Sequence, residues 1–397
     1  MPKIFDPTSP ALDEVIQRIG EEAAENDRER QAVTWAFAAL KDLGIAGARI
    51  PQALGGAGLS LTELFDLVFR LGRADSNVAH ALRNHFLMLE TLIRPGLRDR
   101  FRPILDRAVA GELFGSSFHE NSGAAAGLLR FDTKLTADGQ NWRLNGEKAY
   151  STGNLYIDHI FASVADPAGN PVNVLIPARR EGIEHLDDWD GIGQRLTASG
   201  TTRYIDVRVG ADEIQPQIPP EEARAYPATF PQVWLTTVVA GVLSRAIEDV
   251  TEVILARKRN YYHGLAERPA DDALIQHGLG RLAAQAHVAE VAIRDAAAQL
   301  DRAWEAEDAG AADADRLTLE ASLAAAKSKV VIDDLAQWVG SELFELTGAS
   351  GATRAKALDR HWRNARTVLS HNPKGHKARV IGDYLLNGVR PPNTAYF

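Results

Sequence analysis

Cysteine is absent from the 397-residue chain. That one absence excludes disulfides, thiolate metal sites, iron-sulfur clusters and a cysteine nucleophile together. Redox chemistry therefore needs a bound cofactor. Positive charge is in deficit: 44 Lys+Arg face 53 Asp+Glu, a formal net charge of -9, so the molecule as a whole repels nucleic acid and anionic membranes. An anion can bind only at a local basic site. Long apolar runs are missing as well. The longest, Val233 to Leu243, is interrupted by Thr236 and Thr237 and falls short of the ~20 residues a membrane-spanning helix requires. The first residues carry no charged stretch followed by an apolar one, so the expected protein is cytoplasmic, with neither membrane nor nucleic acid as partner.

What is present is ordinary for a water-soluble globular chain, with 45% hydrophobic and 24% charged residues. Its length exceeds what one core usually fills, so more than one is expected. From residue 11 to about 115 apolar residues recur at helical spacing, as in Leu61, Leu64, Phe65, Val68 and Leu71. Ser60 and Glu63 form a capping box there. Pro51 and three glycines mark a tight loop at residues 51–58. Between about 116 and 212 short strands take over, with turn pairs at Asp138-Gly139 and Asn145-Gly146. Beyond about 222 long helices return, carrying the stripes Leu282, Ala286, Ala289, Ile293 and Leu323, Val330, Leu335, Val339, Leu343. The acidic segment Glu305 to Asp315 reads as a turn between two of them. The expected division is a helical domain over 1–115, a β-domain over 116–215 and a helical bundle over 216–397.

Four motifs in this order resemble the acyl-CoA dehydrogenase superfamily. Pro51-Gln-Ala-Leu-Gly-Gly-Ala-Gly58 is similar to its Pro-Glu-x-x-Gly-Gly-x-Gly loop. Gly111-Glu-Leu-Phe-Gly-Ser-Ser-Phe-His-Glu-Asn-Ser122 resembles the stretch that touches the flavin ring. Leu144-Asn-Gly-Glu-Lys-Ala-Tyr-Ser-Thr-Gly153 resembles the segment that supplies an aromatic wall and a hydroxyl near flavin N5. Trp189-Asp-Gly-Ile-Gly-Gln-Arg-Leu-Thr-Ala-Ser-Gly-Thr201 resembles the form found in the superfamily's monooxygenase branch. The resemblance implies an α+β, mostly α fold of N-terminal helices, a middle β-barrel and a C-terminal four-helix bundle. It also implies flavin contacts from His119, Glu120, Asn121, Ser122, Tyr150, Ser151 and Thr152.

The C-terminal third separates the branches. Ordinary members place a glutamate after an Arg-Asp-Ala run to abstract a proton from the acyl thioester; here the matching position is Asn372, and Tyr226 to Leu243, the other family location, holds no carboxylate. An amide cannot take that proton. Instead Leu358-Asp-Arg-His-Trp-Arg-Asn-Ala-Arg-Thr367, His371-Asn-Pro373 and Gly382-Asp-Tyr384 resemble the branch of dibenzothiophene and sulfur-acquisition monooxygenases. That branch implies two histidines facing the flavin, which fall on His85 and His371, with Thr152 completing the catalytic set. Asn84, Phe86 and Asn372 are the implied substrate contacts. Arg259, Arg363 and Arg366 are the candidate holders of the flavin phosphate, since arginine pairs bidentately with phosphate oxygens.

The activity so implied is oxygenation of a small apolar, possibly organosulfur, substrate by reduced FMN and O2 through a C4a-hydroperoxyflavin, with FAD the alternative cofactor. No nicotinamide fingerprint is present, so a separate NAD(P)H:flavin reductase must supply the reduced flavin. A homotetramer and no metal are expected. Two other readings remain open at this stage: an acyl-CoA dehydrogenase with an atypical base, and a non-catalytic flavin- or nucleic-acid-binding relative.

Overall fold

The computed structural model describes residues 3–121, 130–216, 218–394 and 397. Its N-terminal third is helical: α1 (Pro10–Glu29), α2 (Thr34–Asp42), α3 (Leu61–Ala74), α4 (Ser76–Ala81), α5 (Arg83–Leu92) and α6 (Arg102–Val109). Helix α3 starts where the sequence says it should. The Ser60 hydroxyl accepts from Glu63 N–H while the Glu63 carboxylate accepts from Ser60 N–H, which satisfies two otherwise orphaned donors. It stops at Asp75, whose extended backbone ends one helix and whose carboxylate caps the next by accepting from Asn77 N–H at 2.8 Å. Helices α4 and α5 then follow almost without a break.

The eight strands form one mixed sheet: β1 (Phe114–Ser117), β2 (Lys134–Asp138), β3 (Asn141–Lys148), β4 (His159–Ala165), β5 (Pro171–Pro177), β6 (Ile183–His185), β7 (Thr202–Val209) and β8 (Ile214–Gln215). Its order is β6-β7-β3-β2-β4-β5-β8, with β1 parallel to β4. The expected turn at Asp138-Gly139 joins β2 to β3. The one expected at Asn145-Gly146 is not a turn. Both residues lie inside β3, where the register against β7 shifts between Leu144 and Gly146. Gly146 has φ +143°, and a Cβ there would come within 2.5 Å of Thr133. The Asn-Gly pair thus serves a bulge that brings two strands close, a use of glycine that a sequence pattern does not separate from a hairpin.

The chain closes with α7 (Thr229–Ala256), α8 (Ala273–Asp308), α9 (Ala314–Gly351), α10 (Asp359–Leu369) and α11 (Lys374–Asn387). The turn foreseen between Glu305 and Asp315 occupies the gap between α8 and α9. Helix α7 is the apolar run of the sequence and is buried along most of its length. Its Trp234 is fully buried, edge-on to Phe65 and stacked on Phe86 at 5.3 Å, and donates from Nε1 to Ala79 O at 2.9 Å. Burying that ring contributes on the order of 3 kcal/mol, and its polar end ties α4 to the core. Helix α4 is thereby held rigid beneath the site described next. No helix among the described residues is long and apolar enough to cross a membrane.

Candidate active site

A cleft of about 620 Å³ opens where four segments meet: the α4–α5 junction, the end of β1, residues 150–152, and the loop 189–199 facing the end of α10. It is lined by His80, Arg83 and Asn84, by Ser116, Phe118 and His119, by Tyr150 and Thr152, by Trp189, Gln194 and Ser199, and by Arg366 and His371. Aromatic faces, hydroxyls and cations converge there, and among the described residues no aspartate or glutamate lines it. A larger depression, about 830 Å³, lies at the end of the sheet. Of its arginines, Arg143 pairs with Asp138 and Asp206 and Arg180 with Glu213, and no aromatic side chain is among its described lining residues, so it offers no comparable recognition chemistry.

The loop 189–199 is locked by short bonds. Trp189 Nε1 donates to Gln194 O at 3.0 Å, and Leu196 N–H donates to Asn77 Oδ1 at 3.0 Å. Thr197 and Ser199 share a 2.6 Å hydroxyl contact, and Ser199 reaches Thr152 Oγ1 at 2.9 Å. On the other side Gly193 touches α10 so closely that a Cβ would fall 2.1 Å from Arg363 O. Tyr150 has a left-handed backbone, φ +54°, which turns its ring outward to 55% exposure between His119 and Trp189. A non-glycine residue held there costs on the order of 1 kcal/mol, a cost accepted here at a cleft wall.

His80 is held in one tautomer. Gln194 Nε2 donates to Ser76 Oγ at 2.8 Å, so its Oε1 accepts, and His80 Nδ1, 2.9 Å away, must be the donor. Nε2 is left with its lone pair. Burial, and after it the Arg83 guanidinium, push the His80 pKa down to about 3, so the ring is neutral. His371 lies across the cleft, its Nε2 a long 3.5 Å from Arg83 Nη1. Its outer edge is open to solvent, yet the protein packed around it and the same guanidinium also favour the neutral form.

The cleft unites Asn84, His119, Tyr150, Thr152, Arg366 and His371 among the residues expected from sequence. Ser151 sits just behind, buried, its hydroxyl 2.9 Å from that of Ser117. The others are elsewhere. His85 is buried and fully bonded, Nε2 to Ala46 O at 2.9 Å and Nδ1 from Phe114 N–H at 3.2 Å, so it fastens α5 to β1 and does not line the cleft. Phe86 belongs to the aromatic core against Trp234. Glu120 is paired with buried Lys148 at 2.6 Å. Arg363 is occupied by Asp27 and Asp359 at 2.6 and 2.7 Å. Arg259 is exposed beyond α7, Asn121 is exposed outside the lining, Asn372 is buried outside it, and Ser122 lies outside the described residues. Sequence reading missed His80, Arg83 and Gln194. For His80 and Arg83 the signal was spacing: with Asn84 they stand at i, i+3, i+4 along the near-continuous run of α4 and α5, whereas His85 falls on the next face round; Gln194, in a loop, carried no such signal.

Residues 11–112 match the family described as Acyl-CoA dehydrogenase, N-terminal domain, and residues 233–373 match Acyl-CoA dehydrogenase, C-terminal domain. The chain belongs to the acyl-CoA dehydrogenase family. Within that family it is 29% identical over 364 residues to a probable FMNH2-dependent monooxygenase, SfnC, of Pseudomonas putida, covering 90% of this chain and 89% of the relative. It is 27% identical to dibenzothiophene monooxygenase of Mycolicibacterium goodii over 384 residues, 92% and 90% of the two chains. The solved structure of methanesulfinate monooxygenase MsuC from Pseudomonas fluorescens superposes with a TM-score of 0.83 at 27% identity, covering 98% of this chain and all of that one. The α+β, mostly α architecture expected from the four motifs is therefore the family's own.

Proposed function

We propose that the chain is the oxygenating half of a two-component monooxygenase, using reduced FMN from a separate NAD(P)H:flavin reductase, and O2, to oxygenate a small organosulfur substrate. The observation that carries this reading is the lining of the cleft. A dehydrogenase needs a carboxylate to take a proton from its substrate, and the described lining offers imidazoles and hydroxyls but no carboxylate. The relatives described above are monooxygenases by name, SfnC an FMNH2-dependent one.

FMN suits the residues present. A volume of about 620 Å³ is within the usual range for a cofactor site. Tyr150, Trp189 and Phe118 offer flat faces, Thr152 and Ser199 offer hydroxyls, and exposed Arg366 at the rim is placed for a phosphate. When bound, reduced FMN supplies the electron pair that O2 chemistry requires. The chain's own residues orient, exclude water and move protons. Val368 and Ile192 keep part of the wall apolar. His80, neutral and fixed by Gln194, offers an acceptor lone pair at Nε2, and His371 brings a second imidazole to the mouth.

The test supplies the full-length protein with photoreduced FMN, 18O2 and a panel of organosulfur compounds. One labelled oxygen should appear in the product, and the purified protein should hold oxidised flavin only weakly. Anaerobic bleaching of a tightly bound FAD by an acyl-CoA would overturn the reading in favour of a dehydrogenase. A cytoplasmic setting and a homotetramer go with the proposal. Val288 and Val291 on α8 and Val331 on α9 leave an apolar strip about half exposed, of the kind closed by symmetric association.

A further inference from the structure

The cleft holds one cation more than a flavin phosphate needs. The whole chain carries a net charge of -9, yet among the described residues the cleft lining contains two arginines, three histidines and no acidic residue. Arg366 is at the solvent-exposed rim, where its guanidinium donates to Ser370 Oγ at 3.0 Å. Arg83 is different. It opens α5, is half buried between His80 and His371, and its Nε is buried with no hydrogen-bond partner. Among the described residues no carboxylate lies within ion-pair distance of it.

Several other shielded arginines of this fold are compensated by carboxylates, and Arg195 and Arg257 reach backbone carbonyls instead. Arg49 pairs with Glu90, Arg224 with Glu307 and Asp308, Arg360 with Asp249 and Arg363 with Asp27. Withdrawing a guanidinium from water without a counter-charge costs several kcal/mol. Neither neighbouring histidine can supply that charge, since an imidazole is neutral or positive. Burial lowers even the arginine's own pKa, to about 10. An uncompensated arginine facing a cleft is stable where the ligand brings the anion.

We infer that Arg83 binds the anionic head group of the substrate, and that the substrate is an alkanesulfinate rather than a neutral sulfide or thiophene. This rests on the monooxygenase reading above. The fork of a guanidinium matches two oxygens on one atom, as in a sulfinate, and a neutral thioether offers it nothing. The reaction balances as RSO2− + O2 + FMNH2 → RSO3− + FMN + H2O. One S–O bond forms, the O–O bond breaks, sulfur loses two electrons, and reduced flavin supplies two electrons and two protons to the second oxygen.

Binding of methanesulfinate and hexanesulfinate to the full-length protein, by calorimetry with and without oxidised FMN, tests the inference directly. Wild type should bind at least one of them, more weakly at high salt. Arg83→Gln should weaken that binding by about 10- to 100-fold, the worth of one charge-assisted contact, while Arg83→Lys recovers part of it. In steady state the loss should fall on KM more than on kcat. FMN affinity, followed by flavin fluorescence, should change by no more than a few-fold in Arg83→Gln. Sulfinate affinity that is undetectable in wild type, or unchanged in Arg83→Gln, overturns the inference while leaving the flavin reading standing. A large loss of FMN affinity with sulfinate binding intact assigns Arg83 to the flavin and overturns it too. If wild type binds no FMN in either redox state, the monooxygenase reading fails and the inference fails with it.

Discussion

His85 and His371 were expected to act together, and their surroundings now give them separate tasks. Both ring nitrogens of His85 are committed to backbone partners. His85→Ala should therefore cost about 2–5 kcal/mol in chemical denaturation, from the lost packing plus an unpaired amide and carbonyl. A change under 0.5 kcal/mol would refute that structural role. Burial holds the His85 pKa down at about 4, against an unfolded value near ~6.5. The unfolded chain thus binds the proton first. The ring's contribution is fully present above about pH 6.5 and is lost as pH falls toward the folded value of about 4. His80 acts in the same direction, while Asp75, raised to about 6 by burial, opposes it between about pH 4 and 6. Denaturation midpoints should begin to fall below pH 6.5, and less steeply in a folded His85→Gln variant; identical profiles would count against the assignment. His371, by contrast, lines the cleft. His371→Ala should keep FMN affinity within a few-fold yet lose roughly 10²- to 10⁴-fold in oxygenation, the usual share of a positioned acid-base group, with the electrons diverted to H2O2. Unchanged coupling of product to reduced flavin consumed would make His371 merely structural.

The unit that builds the site is the contact between the loop 189–199 and helix α10. Gly193 lies against the carbonyl of Arg363, and Gln194 N–H donates to Asn364 Oδ1 at 2.7 Å. The same loop fixes His80 and the Thr152 hydroxyl. A methyl group at residue 193 would have to displace backbone on one side or the other. Gly193→Ala should destabilise the fold by about 1–3 kcal/mol, and FMN affinity should fall with it, because the cleft wall moves. Stability and flavin titration that both match wild type would show that the close approach does not exist in solution. Strand-level expectations fared unevenly for a related reason. Asp138-Gly139 behaves as a hairpin turn, whereas Asn145-Gly146 is absorbed into β3 because β2 and β7 flank it on both sides. The dipeptide favours positive φ in either case; the neighbours decide what that φ is used for.

At the scale of the whole molecule, association is the open consequence of the exposed strip on α8 and α9. Light scattering at micromolar concentration should give a mass several times that of one chain, and Val288→Glu with Val331→Glu should lower it. A monomeric wild type would refute the tetramer. Much of this architecture was legible in the residue pattern. The helical period around Leu64 and Val68, the capping box at Ser60, the turn at Asp138-Gly139 and the missing cysteines are local properties, and local physics sets them before any tertiary contact forms. The motifs brought His119, Tyr150 and Thr152 to a cleft because each motif is a short segment whose backbone shape is largely its own. Which of two neighbouring histidines reaches the cleft was not local. His80 and His85 lie five residues apart on near-continuous helices, and their surroundings are set from a distance: Trp234 of α7 bonds to Ala79 O beside His80, and Gln194, 114 positions away in sequence, reaches back to fix the His80 tautomer. Likewise nothing in the sequence separates Arg363, neutralised by Asp27 from 336 residues away, from Arg83, which has no such partner. Charge compensation is a matter of distance in space, so only the folded chain decided which arginine was left for a ligand.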